Sequence, residues 1–135
     1  MDKTFKTINP ATEQMLEELE FDTSERVNAA LAQAASAARS WRRSSFAERS
    51  RLVSALGKML RDDEERLARQ AVLEMGKPIA QARAEVQKCA RTCDYFAEHA
   101  AAMLADEKAP TDAAESYVCF DALGPILAVM PWNFP

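Results

Sequence analysis

LGPILAVMPWNFP, Leu123 to Pro135, is the stretch on which the fold turns. Within it Ile126 to Met130 is continuously apolar and partly β-branched, bounded by Gly124-Pro125 before and Pro131 after. A strand with only one covered face alternates apolar and polar residues. An unbroken apolar run is the pattern of a strand covered on both faces, as in a parallel sheet. Such a strand needs neighbours on both edges and helices over both faces. Burying its large side chains is worth about 1.5–3 kcal/mol each, a sum that rivals the whole stability of a domain, about 5–15 kcal/mol. Mostly helical patterns precede this run, and only PWNFP follows it. The sequence therefore predicts an α/β protein whose sheet is incomplete within these 135 residues.

Outward from that run, Ser116 to Phe120 has the pattern of another strand. Before it lies the longest predicted helix. Ile79, Ala82, Val86, Cys89, Cys93, Phe96, Ala100 and Met103 alternate steps of three and four, which holds one face apolar over about 40 Å, with Pro110 closing it. Upstream, Asp62 and Glu65 open a helix whose inward face is Leu67, Ala68, Ala71, Val72 and Met75, and Gly76 ends it, because glycine accepts the left-handed turn after a helix. Pro78 then suits the first position of the next helix. Ser45 and Glu48 have the spacing of a capping box, followed by the stripe Leu52, Val53, Leu56, Met59 and Leu60. Asp22 and Glu25 predict a similar start for a helix carrying Val27, Ala30, Leu31, Ala34, Ala38 and Trp41. Phe5 to Phe21 reads as two short strands around the Asn9-Pro10 turn.

Composition narrows the function classes. With 48% apolar and 28% charged residues, the chain has a globular balance. Its 21 acids against 17 bases, a net charge of −4, argue against a nucleic-acid partner. The MDKTFK start lacks a signal-peptide core, and no apolar run is long enough for a bilayer. Three cysteines without a signal peptide point to reduced thiols and a cytoplasmic setting.

Four stretches together resemble the amino-terminal part of the aldehyde dehydrogenase superfamily. They are INPAT (Ile8 to Thr12), the Trp41 helix followed by FAERSRL (Phe46 to Leu52), EMGKPIAQARAEV (Glu74 to Val86) and LGPILAVMPWNFP. PWNFP combined with EMGKP is the most specific signal. LGPILAVMPWNFP and CDYFAEHA (Cys93 to Ala100) most resemble bacterial succinate-semialdehyde dehydrogenases. Glu13 stands where the family usually has glycine, which bears on the tightness of that turn, and Ala122 where it commonly has proline.

The resemblance implies a β-hairpin, about four helices, an arm strand and the first strand of a Rossmann-like cofactor domain. Residues 1–135 would be the amino-terminal portion of the NAD(P)-binding domain, with an oligomerisation-arm strand near 114–122 and the catalytic domain absent. It implies an enzyme that oxidises an aldehyde, in that subgroup succinate semialdehyde, to the acid with NAD or NADP. A cysteine thiolate attacks the aldehyde, the thiohemiacetal transfers hydride, and a glutamate helps water release the product. Asn133 would donate to the oxyanion through its side-chain amide. The backbone of Met130, Pro131 and Trp132 would lie along the nicotinamide ribose. The nucleophile lies outside these residues, so the 135-residue chain alone is expected to be inactive, and the complete enzyme to be a homodimer or homotetramer.

Other residue groups have structural explanations. Cys89 and Cys93, four apart, read as small apolar residues of a helix face rather than a metal or redox pair. Cys119 lacks a partnered histidine, and His99 reads as a surface residue. Asp62, Asp63, Glu64 and Glu65 complement a helix amino-terminus. Arg39, Arg42 and Arg43 around Trp41 read as a solvated helix end. Without the family resemblance, the Ile79 to Met103 stripe would suit a non-catalytic helical module that pairs with a partner, and the abrupt ending a product of a truncated gene.

Overall fold

The computed structural model describes residues 3–130 and residue 133. Its elements run β1 (Thr4–Ile8), β2 (Met15–Glu20), α1 (Ser24–Trp41), α2 (Phe46–Asp62), α3 (Glu64–Met75), α4 (Ile79–Met103), β3 (Glu107–Lys108) and β4 (Tyr117–Val118). β1 and β2 pair as an antiparallel hairpin, with a register shift between Thr7 and Ile8. Asn9 makes the turn. Its Oδ1 accepts from the Ala11 amide at 2.9 Å, and its carbonyl accepts from the Glu13 amide at 2.8 Å. Glu13 sits at φ 60, in the left-handed region. The turn is thus kept without the family's glycine, at a backbone cost of about 1–2 kcal/mol for an L-residue.

Local chemistry explains most helix boundaries. Ser45 and Glu48 form the full reciprocal capping box. The Ser45 amide donates to the Glu48 carboxylate at 2.7 Å, and this bond holds the Glu48 pKa below the usual carboxylate value. Gly76 caps α3 at φ 69. Three predicted ends shift by one or two residues. Thr23, not Asp22, caps α1, because its hydroxyl accepts from the Arg26 amide at 3.3 Å while Asp22 pairs with the Arg26 side chain. Asp62 completes α2 and pairs with Lys58 one turn back, so α3 opens after Asp63 instead. Pro78 caps α4 rather than occupying its first turn. Arg49 clamps the α1–α2 junction. It donates to the carbonyls of Trp41 and Arg42 at 3.2 Å each and lies over the Trp41 and Phe46 rings.

α2 and α3 both pack on α4, and these three helices form the core. Every buried residue among those described is small: Gly57, Ala68, Ala82 and Ala90. A Cβ added to Gly57 would lie 3.1 Å from the Ala90 carbonyl and 3.2 Å from the Cys93 Cβ, so the glycine permits close approach of α2 to α4. The predicted α2 stripe is rotated as a result. α2 meets α4 along Val53, Gly57 and Leu60, while Leu52, Leu56 and Met59 are exposed. On α4 the buried positions are Ala82, which lies on the predicted stripe, and Ala90, which does not, while the predicted Cys89 is exposed. Periodicity by hydrophobicity favours the largest apolar residues, but helix contact at short range selects the smallest.

The carboxyl third departs further from expectation. α4 ends at Met103, seven residues before Pro110, and Glu107–Lys108 forms a strand that the sequence pattern did not suggest. Its partner is Tyr117–Val118, a shorter strand than the predicted Ser116 to Phe120. Pairing stops there because β3 offers only two residues to bond. Ile126 to Met130 belongs to no strand, since no described element presents an edge to it. Its side chains stay exposed, Leu127 by 90%. α1 likewise buries no residue. The accessible surface is 11183 Å², where a compact 15.0 kDa monomer exposes about 7000 Å². Among the described residues no helix is long and apolar enough to cross a membrane.

Candidate active-site segment

The α3–α4 junction fixes one side of the candidate site. Gly76 adopts its left-handed conformation against the hairpin turn, where an added Cβ would stand 3.2 Å from Pro10 Cγ. Pro78 restricts the backbone on the other side of Lys77. Lys77 is thereby aimed with little local freedom. Its ammonium pairs with the Glu85 carboxylate, two turns into α4, and the two side chains are only 12% and 16% exposed. Removing one member of a pair this buried leaves an uncompensated charge, typically costing about 3–5 kcal/mol.

From this pair Lys77 Nζ also donates to the backbone carbonyl of Asn133 at 3.4 Å. The bond spans 56 residues of sequence and ties the chain after Met130 to the helical core. Asn133 lies in a turn and is exposed. Its backbone carbonyl is thus held while the residue remains exposed. Met130 is exposed as well; Pro131 and Trp132 lie outside the described residues. Residues 123–130 belong to no strand among the described residues.

Residue 133 therefore meets Lys77, and Lys77 meets Glu85, two groups that sequence reasoning left out of the candidate site. One signal could have indicated Lys77: a lysine set between a helix-ending glycine and a proline has its direction fixed. Nothing in the spacing marks Glu85, whose role depends on how α4 returns past the junction.

The remaining candidates fall into structural roles. Glu65 bonds Arg83 and Arg69, and the Arg83 bond lowers its pKa. Asp63 bonds Arg66, and Glu64 accepts from Gln87. Arg42 reaches Asp121 at 3.2 Å, tying the end of α1 to the chain after β4. His99 is half-buried rather than a plain surface residue, edge-on to Tyr95 with centroids 4.5 Å apart. Cys89, Cys93 and Cys119 are free thiols. A cavity of about 200 Å³ between α2, α3 and α4 is lined by Leu60, Leu67, Ala71, Val86 and Cys89. It is smaller than the roughly 300–1,000 Å³ of ordinary ligand pockets.

A profile described as the aldehyde dehydrogenase family matches residues 1–135. The chain belongs to the aldehyde dehydrogenase family. It is 43% identical over 129 residues to the succinate semialdehyde dehydrogenase [NAD(P)+] of Escherichia coli (strain K12), covering 96% of this chain and 28% of that protein. It is 44% identical over 134 residues to succinate-semialdehyde dehydrogenase [NADP(+)] 1 of Mycobacterium bovis (strain BCG / Pasteur 1173P2), covering 96% and 29%. Among solved structures it superposes on succinic semialdehyde dehydrogenase from Streptococcus pyogenes in complex with NADP+. There the TM-score is 0.91 at 31% identity, over 96% of this chain and 29% of that one. The fold is thus the amino-terminal part of the aldehyde dehydrogenase fold. The chain spans under a third of the length of these relatives.

Proposed function

We propose that this chain supplies the amino-terminal portion of the NAD(P)-binding domain of an aldehyde dehydrogenase that oxidises succinate semialdehyde to the acid. The observation that carries the proposal is the family match over residues 1–135, which includes an exposed Asn133 on an anchored backbone. The substrate follows from the relatives at 43–44% identity, both succinate-semialdehyde dehydrogenases. NAD and NADP both fit, since the two relatives are named for NAD(P)+ and NADP+ respectively.

In this reading the Asn133 side-chain amide donates to the alkoxide that forms when a thiolate adds to the aldehyde. A preorganised donor stabilises that charge without reorganising at the moment of reaction. Met130, Pro131 and Trp132 would hold the cofactor ribose through backbone groups; of these the described Met130 belongs to no strand. The bound nicotinamide supplies the hydride acceptor. The strand pair β3–β4 and the residues near 114–122 belong to an oligomerisation arm, and the complete enzyme is a dimer or tetramer.

The test is Asn133→Ala in the complete enzyme. The expected result is a fall in kcat of about 10²–10³-fold, the usual effect of deleting one oxyanion donor. A kcat within twofold of wild type would overturn the role. The 135-residue chain by itself is expected to form no NADH or NADPH from the aldehyde.

A further inference from the structure

We propose that Lys77, held by Glu85, is a positioning residue for catalysis, setting the place of Asn133 by gripping its backbone carbonyl. The inference deepens the reading of Asn133 as the oxyanion donor and rests on it. An oxyanion donor works only if its geometry is fixed before charge develops, and a displacement near 1 Å can cost about a hundredfold in rate. Among the described residues Asn133 follows a run that makes no strand, and the contact that fixes its backbone is with Lys77. Lys77 reaches it at 3.4 Å from a half-buried position. The lysine is itself constrained three ways: Gly76 and Pro78 fix its backbone, and Glu85 holds its ammonium. Its ammonium has three donors, enough for the carboxylate and the carbonyl together. The chain 85–77–133 thus transmits the rigidity of the α3–α4 junction to the reacting segment.

The tether is tested in the 135-residue chain by nuclear magnetic resonance. Asn-Phe occurs once in the sequence, at Asn133-Phe134, so ¹³C′-asparagine with ¹⁵N-phenylalanine labelling isolates this carbonyl. Lys77→Met removes donor and charge but keeps the stem; Lys77→Met with Glu85→Met removes both charges. The expected result is an upfield move of the Asn133 ¹³C′ resonance in both variants, while the double variant recovers the melting temperature lost by the single one. A resonance unmoved in Lys77→Met would overturn the tether. In the complete enzyme the double variant is expected to lose about tenfold in kcat or more, with KM for the cofactor within twofold. Wild-type kcat in the double variant would show that the pair is merely structural and overturn the positioning role. Asn133→Ala in the Lys77 background separates the two ideas. If Asn133→Ala alone leaves kcat unchanged, the oxyanion reading fails and the positioning role fails with it, whereas the carbonyl resonance still reports the tether by itself.

Discussion

The α2–α4 seam and residues 123–130 differ in a way opposite to their hydrophobicity. The seam buries Gly57 and Ala90, while Leu123, Ile126, Leu127, Val129 and Met130 are larger, more apolar and exposed. Burial here follows the availability of a complementary surface, not the size of the apolar side chain. α2 and α4 provide that surface for each other because Gly57 lets them approach, and small residues then fill the space. The 123–130 run has no opposing edge or face among the described residues, so its larger transfer free energy remains unrealised. The hairpin lies between these extremes: its strands pair with each other, and Pro10 at its turn rests against Gly76.

The strongest challenge to this contrast is Ala90→Leu. Ala90 is fully buried, and its own carbonyl already limits the space opposite Gly57. Three added carbons have no free volume at the seam, and overpacking costs about 1–3 kcal/mol. The melting temperature should fall by roughly 5–15 °C, measured by circular dichroism at 222 nm. An unchanged melting curve would mean that the helices are loosely associated and that the contrast with the tail is false.

Glu13→Gly tests where the packed region ends. Glycine removes the left-handed penalty at φ 60 but adds freedom to the unfolded chain, so the net gain should be about 0.5–1 kcal/mol. Urea unfolding followed by helix signal measures it. A gain places the hairpin in one cooperative unit with the helices through the Pro10–Gly76 contact. No change in helix stability would mean that the hairpin opens independently, and the boundary of the core would move to α2.

How far the sequence foretold these regions depends on how local their determinants are. The hairpin, the Ser45–Glu48 box, the Gly76 stop and the great length of α4 were legible, because each rests on backbone preferences within a few residues. The inward face of α2 was only half legible, because Gly57 sets the contact line and its effect exists only once α4 lies opposite; on α4 Ala82, Val86 and Cys93 were foreseen and Ala90 was missed. The Glu107–Lys108 strand was hidden by its two-residue length and charged composition. Ile126 to Met130 has a strand's composition, yet a strand is a relation between segments, and composition supplies only one of them. The site was legible in the same measure. Asn133 was singled out through PWNFP, whereas Lys77 meets it across 56 residues and Glu85 reaches it only through Lys77, a separation no local pattern encodes.

The smallest expected effect is the most informative about the tail. Leu127→Lys places a charge where the side chain is 90% exposed, so in the 135-residue chain its stability should stay within about 0.5 kcal/mol of wild type. The same substitution should reduce self-association, since an exposed apolar run with unpaired backbone invites edge-to-edge pairing and a lysine opposes it. Sedimentation velocity reads the second effect and urea unfolding the first. A loss of several kcal/mol would mean that Leu127 already has a covering surface, and the contrast with the α2–α4 seam would disappear. In the complete enzyme the prediction reverses. If residues 126–130 become a strand covered on both faces, the lysine must be buried without a partner, a cost that a domain of ordinary stability does not survive. One substitution that is silent in the short chain and abolishes soluble enzyme in the long one would show that this run is a surface waiting for the rest of its sheet.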